Sequence, residues 1–156
     1  MVLQNKKEFY LIGTNASDLG DLTLQAIEKV KHAKVVVLSK KFDSKFLKLL
    51  ENKTIYYQEN LSTKNDRGLW EKIYELFEST DIICHLVDGD PVLDAEGLQE
   101  VKFFKIKRIN SEIISGVIKV VNFLNLNSEL LTNREKNFSS TFLKKFNKKK
   151  LTRIIN

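Results

Sequence analysis

The sequence predicts an α/β domain, in which a five-stranded, mostly parallel sheet carries helices on both faces. Short apolar runs rich in Val and Ile alternate with segments whose apolar residues recur at helical spacing. Strands that alternate with helices in this way pair in parallel through right-handed crossovers. The length of 156 residues fits one domain, which buries roughly 70% of the surface of its unfolded chain.

The first half of the chain is expected to open a βαβ unit. Its predicted elements are a strand at 9–12, a turn-rich loop at 13–18, a helix capped by Asp21 with apolar residues Leu24, Ile27 and Val30, a strand at 35–38, a short helix at 46–50 and a strand at 54–57.

The second half continues the alternation. Its predicted elements are a polar surface loop at 60–68, a helix with apolar residues between 69 and 77 that starts at Asn65 or Asp66, a strand at 81–87, a helix at 97–107, a strand at 112–114 and helical spacing over 117–124.

The turn after the strand at 81–87 carries the main functional signal. The apolar run stops at the tetrapeptide 88–91, Asp-Gly-Asp-Pro. Ligands in open α/β sheets bind outside the carboxyl ends of the strands, so we expect this turn to line a site. Gly89 permits close approach of the backbone to a ligand, and Pro91 fixes the exit from the turn. An ordinary tight turn is the alternative interpretation.

Composition favours a globular, cytoplasmic protein with no membrane partner. No apolar run approaches the roughly 20 residues that a membrane helix requires, and the first residues lack the apolar segment of a secretory signal. The lone Cys84 excludes an internal disulfide, which agrees with a reducing compartment.

The net charge of +6 comes mainly from lysine, and the densest basic run lies at 144–150. Such a run is typical of a solvated chain end, and recognised nucleic-acid-binding motifs are absent, so we do not expect a nucleic-acid partner. A small basic protein that binds nucleic acid through this tail is the alternative, which a steep salt dependence of binding would identify.

Four motifs in order resemble those of the S-adenosylmethionine-dependent tetrapyrrole methylases, and within them the uroporphyrinogen-III C-methyltransferase branch. They are a strand, loop and Leu-Thr-Leu helix start over 10–26, Asp-Gly-Asp-Pro at 88–91 for Gly-Gly-Asp-Pro, Ser-Gly-Val at 115–117 for Pro-Gly-Val, and Leu-Thr-Asn-Arg at 131–134 for Leu-Thr-His-Arg. The motifs also lie at matching separations. The resemblance implies the family's N-terminal α/β domain, which we place at 1–146, followed by a basic tail at 147–156.

The resemblance also implies a site. S-adenosylmethionine would be the cofactor, and a tetrapyrrole of sirohaem or cobalamin synthesis the substrate. Arg134 would bind a substrate carboxylate, and no catalytic residue is assigned. Family members hold their ligands between this domain and a second α/β domain. Residues 138–143 resemble the strand that leads into that second domain. We therefore expect a homodimer or a separate C-terminal domain as partner. The donor-binding residues that the resemblance implies are Gly13, Asp18, Gly89, Asp90 and Pro91.

Several departures from the family pattern fall on this site. Residues 15–17, Asn-Ala-Ser, replace Gly-Pro-Gly, and Asp88 replaces a glycine, where it would repel a donor carboxylate unless it points to solvent. Glu96 stands in place of an arginine that serves an anionic substrate. A degenerate, non-catalytic interaction domain of the same fold is therefore the alternative to an active enzyme.

The remaining singular residues are expected to be structural. We expect Cys84 to be a small core residue and Trp70 to be part of an apolar helix face. His85 lies in a strand and His32 at a helix end, with no Cys or acidic partner at ligand spacing. We therefore expect no metal site.

Overall fold

The sheet has five strands, all parallel, in the order β3-β2-β4-β1-β5. The structure is a computed structural model that describes residues 6–14, 20, 22–61, 65–93 and 95–116. It confirms the predicted fold class and makes the sheet parallel throughout. The strands are β1 (Glu8–Thr14), β2 (Val35–Leu38), β3 (Thr54–Tyr57), β4 (Ile82–Asp88) and β5 (Asn110–Ile114).

Helices cover both faces of this sheet, as predicted. None of those that the structure describes is long and apolar enough to cross a bilayer. A 3-10 turn, Leu76–Glu78, extends one of them. The helices are α1 (Leu24–His32), α2 (Ser44–Leu49), α3 (Gln58–Leu61), α4 (Asp66–Glu75) and α5 (Ala95–Ile106).

The core consists of two apolar layers, because successive side chains of a strand point to opposite faces. Tyr10 and Ile12 of β1 belong to one layer with α1 and α2. Phe9 and Leu11 belong to the other layer with α4 and α5. In this second layer the rings of Phe9 and Phe104 stack with their centroids 3.9 Å apart. The layer alongside α4 and α5 is therefore built partly on stacked aromatic rings.

The start of α1 differs from the prediction. Thr23 is the N-cap, and its Oγ1 accepts a hydrogen bond from the Ala26 N–H at 3.1 Å. Asp21, the predicted cap, lies outside the described residues. The side chain of Leu24 is 85% exposed, whereas Ala26 and Val30 are buried. The prediction of Leu24 as an apolar-face residue was wrong because α1 packs on the sheet through Ala26 and Val30, and Leu24 lies on a different side of the helix.

The polar loop predicted at 60–68 is also shorter than expected. Helix α3 occupies its start, and α4 begins at Asp66. Asn65 caps α4, its Oδ1 accepting the Gly68 N–H at 2.9 Å, which confirms one of the two predicted starts. The elements predicted at 117–124 and 138–143, and the division into a domain at 1–146 and a tail at 147–156, concern residues outside the described ones.

We expect Phe104→Ala to lower the free energy of unfolding by about 3–5 kcal/mol, because it empties the space beside Phe9 in a closely packed layer. Leu24→Ala is the control and should change it by less than about 0.5 kcal/mol, since that side chain is exposed. Urea unfolding followed by circular dichroism measures both. Equal losses would contradict the assignment of Phe104 to the core.

Candidate functional site

Three chain segments meet at the carboxyl edge of the sheet, where β1, β4 and β5 end. Thr14 and Asp88 are neighbours in the parallel register of β1 and β4. Just beyond them, the Gly89 N–H donates a hydrogen bond to the Thr14 carbonyl oxygen at 2.6 Å. Gly116 follows β5 two residues after its end. The turn at 88–91 is therefore attached to its neighbours through backbone contacts.

Glycine is needed at position 13 for this packing. A Cβ on Gly13 would lie 2.5 Å from the Gly116 nitrogen and 2.7 Å from Pro91 Cδ. A Cβ on Gly116 would in turn lie 2.7 Å from Gly13 Cα. The space that Gly13 leaves is thus filled by protein, and its role in donor binding stays a prediction.

Gly89 differs from the other two glycines. It has a φ of +88°, a left-handed conformation that side chains disfavour, and a Cβ placed there would meet no atom of the described residues within 4 Å. The backbone of Gly89 therefore faces open space. It is the glycine of this edge that a ligand can approach.

A cavity of about 110 Å³ opens beside the turn, between α4 and α5. Its lining is unusually acidic for its size. Trp70 and His85 also contribute to its wall. The carboxylate residues in the lining are Asp66, Asp88, Asp90, Glu96 and Glu100. Carboxylates that converge on one small space favour a cationic ligand over an anionic one.

His85 and Glu100 form a buried pair at this cavity. The distance between His85 Nδ1 and Glu100 Oε1 is 2.8 Å, and the two side chains are 3% and 6% exposed. The sequence shows no acidic partner for His85 at ligand spacing, and the structure supplies one from farther along the chain, on α5. The sequence signal that we missed is a glutamate in the buried stripe of α5, one residue before Val101.

Asp88 is paired with Lys40, whose Nζ lies 2.6 Å from Asp88 Oδ2. This pair offsets the negative charge of Asp88, from which the sequence predicted repulsion of a donor carboxylate. The neighbouring Asp90 Oδ1 accepts the N–H of Val92 at 2.8 Å, and Pro91 is buried. Asp18 and Arg134, the other predicted site residues, lie outside the described residues.

Cys84 lies on the opposite face of β4 from His85. Its side chain is buried in the layer beside α1 and α2, which confirms it as a core residue. Burial raises the pKa of its thiol to about 12. Cys84 therefore takes no part in the cavity.

Comparison of the sequence with known proteins identifies a family and two curated relatives. Residues 8–138 match the family described as Tetrapyrrole (Corrin/Porphyrin) Methylases. The ribosomal RNA small subunit methyltransferase I of Mycoplasmopsis pulmonis is 30% identical over 116 residues, which cover 70% of this chain and 50% of that protein. The uroporphyrinogen-III C-methyltransferase of Methanobacterium ivanovii is 26% identical over 115 residues, which cover 72% and 50%. The chain thus spans about half the length of these curated relatives.

Among solved structures, the uroporphyrin-III C-methyltransferase of Thermus thermophilus is similar in fold, with a TM-score of 0.69 at 22% identity over 82% of this chain and 55% of that one. Its complex with S-adenyl homocysteine gives a TM-score of 0.64 at 25% identity, over 81% and 54%.

We expect Gly13→Ala to lower the free energy of unfolding by about 3 kcal/mol, because backbone atoms that cannot easily move occupy the space of its Cβ. Gly89→Ala should cost about 1–2 kcal/mol, from its positive φ alone. Urea unfolding compares the two variants. A larger loss for Gly89→Ala would contradict the packing of the three segments.

We expect Cys84 to resist alkylation by iodoacetamide at pH 8 in the folded protein. The thiolate is the reactive form, and a pKa raised to about 12 leaves almost none of it at that pH. Mass spectrometry should find the thiol unmodified until urea unfolds the chain. Rapid modification without urea would show that the strand face is open to solvent.

Proposed function

The chain belongs to the tetrapyrrole methylase family, and we propose that the carboxyl edge of its sheet binds S-adenosylmethionine as the methyl donor of a methyltransferase. The observation that carries the proposal is the Gly89 backbone, which faces open space next to an acidic cavity. The chemistry that this donor supplies is an electrophilic methyl group on a sulfonium.

The charge of the residues at this edge is opposite to that of the donor's sulfonium and ammonium groups. A sulfonium and an ammonium are both cations, and the cavity presents the carboxylates of Asp90 and Glu96. The Gly89 backbone would accommodate the donor closely, and the second oxygen of Asp90 would accept a hydrogen bond from it. The tasks left to this chain are to orient the donor and to exclude water from the reacting atoms.

The acceptor that we propose first is a uroporphyrinogen-type tetrapyrrole, from the synthesis of sirohaem or cobalamin. The family and the curated uroporphyrinogen-III C-methyltransferase relative support it. Its carboxylates would be repelled by Glu96, so the binding cations must come from other residues, of which Arg134 is the predicted one.

RNA is the second candidate acceptor. The relative at 30% identity is a ribosomal RNA methyltransferase, and the net charge of +6 favours a polyphosphate partner. The cavity carboxylates would then face the donor, while lysines outside the cavity contact the RNA backbone.

We also propose that a second α/β domain covers this edge. Apolar side chains next to the turn are exposed, with Val92 at 49%, Leu93 at 70% and Leu98 at 43%. Clusters of exposed apolar residues mark interaction sites. The domain could belong to the same polypeptide, to a companion chain or to a second copy.

Isothermal titration tests donor binding. We expect saturable binding of S-adenosylmethionine, weaker binding of the uncharged thioether S-adenosylhomocysteine, and a loss of about tenfold or more in Asp90→Ala, since a hydrogen bond to a charged group is removed. Glu28→Ala removes one exposed charge on α1 and should leave affinity unchanged. No saturable heat at millimolar donor, from a folded chain, would refute the proposal.

Methyl transfer from labelled donor distinguishes the acceptors. Label in uroporphyrinogen III supports the first acceptor, and label in small-subunit ribosomal RNA supports the second. Donor binding without label in either would support the non-catalytic interaction domain.

A further inference from the structure

The amino edge of the sheet, opposite the turn after β4, carries exposed lysines just before its strands. Lys7 precedes β1, Lys34 precedes β2, and Lys107 lies between α5 and β5. Because every strand is parallel, these positions share one edge of the sheet. The Asn110 N–H also donates to the Lys7 carbonyl oxygen at 3.0 Å, which attaches the start of β5 to that of β1. Together the three lysines form the basic edge.

The lysines of the basic edge make no ion pair with a described carboxylate, unlike the basic residues of α4. There, Arg67 pairs with Glu71 at 3.6 Å and Lys72 with Glu75 at 2.8 Å. The helix dipole gives a local reason for a cation at the end of a helix, but none for Lys7, which precedes a strand. Uncompensated cations along one edge favour a polyanionic partner.

Aromatic rings alternate with these lysines. Lys7 Nζ lies over the ring of Phe77, 6.0 Å from its centroid. Lys107 Nζ lies over the ring of Tyr74, 4.9 Å from its centroid, and the Tyr74 side remains 36% exposed. The Tyr74 and Phe77 rings are neighbours, with centroids 6.5 Å apart. Cations interleaved with an accessible ring are typical of surfaces for single-stranded nucleic acid, where phosphates contact the cations and bases stack on the rings.

A cleft of about 520 Å³ opens at the same edge, where β1, β2 and β4 begin. This volume lies within the range of roughly 300–1,000 Å³ that is usual for small-molecule sites. Lys7 and Lys34 line the cleft from the strands on either side of β4, and Phe77 forms part of its wall. Glu78 and Asp81 also line it. The cleft therefore combines cations for a phosphate with acceptors for a hydroxyl group.

Glu78 indicates which nucleic acid fits. Its side chain is exposed, and an ionised carboxylate only accepts hydrogen bonds. The ribose 2′-hydroxyl is a donor that RNA has and DNA lacks. A carboxylate beside the phosphate-binding cations repels any polyanion, and RNA alone offers it a hydrogen bond in return. The cleft therefore favours RNA over DNA.

We propose that the basic edge and its cleft bind single-stranded RNA. Phosphates contact Lys7, Lys34 and Lys107. A base stacks on Tyr74, and Glu78 accepts a hydrogen bond from a 2′-hydroxyl.

This surface is separate from the edge proposed for the methyl donor. Strand β4 has seven residues, so the two edges lie about 20 Å apart. RNA binding at the basic edge therefore does not rest on donor binding. It extends the second acceptor of the proposed function, because it names the surface that holds the RNA.

The experiment is a titration of fluorescein-labelled decauridylate with the full chain, followed by fluorescence anisotropy between about 50 and 200 mM salt. Decadeoxyuridylate is the control probe, since it differs in the 2′-hydroxyl alone. We expect saturable binding of the RNA, about threefold to tenfold tighter than that of the DNA, and a steep fall in affinity with salt. No binding, or equal affinity for the two probes, would overturn the proposal.

Paired lysine variants distinguish direct phosphate contacts from the effect of net charge. Lys34→Gln/Lys107→Gln removes two cations of the basic edge, and Lys45→Gln/Lys48→Gln removes two exposed cations of α2. The first variant should bind RNA about tenfold more weakly, and the slope of log affinity against log salt should fall by about 0.7 per lysine. The second variant should keep the slope. Circular dichroism checks that both are folded.

Two single variants test the ring and the carboxylate. Tyr74→Leu removes the stacking surface and should weaken RNA binding about tenfold, with the salt slope unchanged. Glu78→Ala removes a negative charge, which raises the affinity for both probes, but it also removes the hydroxyl acceptor. The ratio of RNA to DNA affinity should therefore fall towards one.

The proposal is overturned by full binding in Lys34→Gln/Lys107→Gln, which the basic run at 144–150 alone would give, or by equal losses in the two double variants. Full affinity in Tyr74→Leu, or an unchanged affinity ratio in Glu78→Ala, also overturns it. RNA binding by a chain that binds no methyl donor would refute only the proposed function. Donor binding without RNA binding would refute only the RNA surface.

Discussion

The close approach of backbone at Gly13, Gly89 and Gly116 is the constraint on which the rest of the site depends. Because these segments touch without side chains between them, the turn after β4 is held against the ends of β1 and β5. The turn positions Asp90 at the cavity, and Pro91 packs beneath it against Gly13. Of these three glycines, Gly89 is the one at which a Cβ would enter open space.

Electrostatics complements this geometry. Acidic residues in the first turns of α4 and α5 are stabilised by their helix dipoles, so their presence has a local structural reason. Their convergence on one cavity does not follow from that reason, because it requires both helices to begin at the same edge of the sheet. Lys40 pairs with Asp88, and five of the residues that line the cavity carry carboxylates. An acidic cavity therefore lies at the sheet edge of a chain whose net charge is +6.

The strands could be predicted from the sequence because runs such as 35–38 are strongly β-branched and too short for a helix. The buried face of α1 could not, since the sequence offers apolar residues on more than one side of the helix and packing on the sheet selects Ala26 and Val30. The pairing of His85 with Glu100 could not be predicted either, because it also depends on how a helix packs. Strand periodicity gives the face of His85, but its partner depends on the rotation of α5, whose buried stripe contains a glycine and a glutamate as well as apolar residues.

Trp70 lines the cavity and packs against Phe103, with ring centroids 5.9 Å apart. It is also the only tryptophan in the chain. Its fluorescence is therefore an intrinsic optical reporter of this one location, with no competing indole elsewhere in the sequence. The protein can be observed at its candidate site without a label, an added cysteine or any other change to its covalent structure.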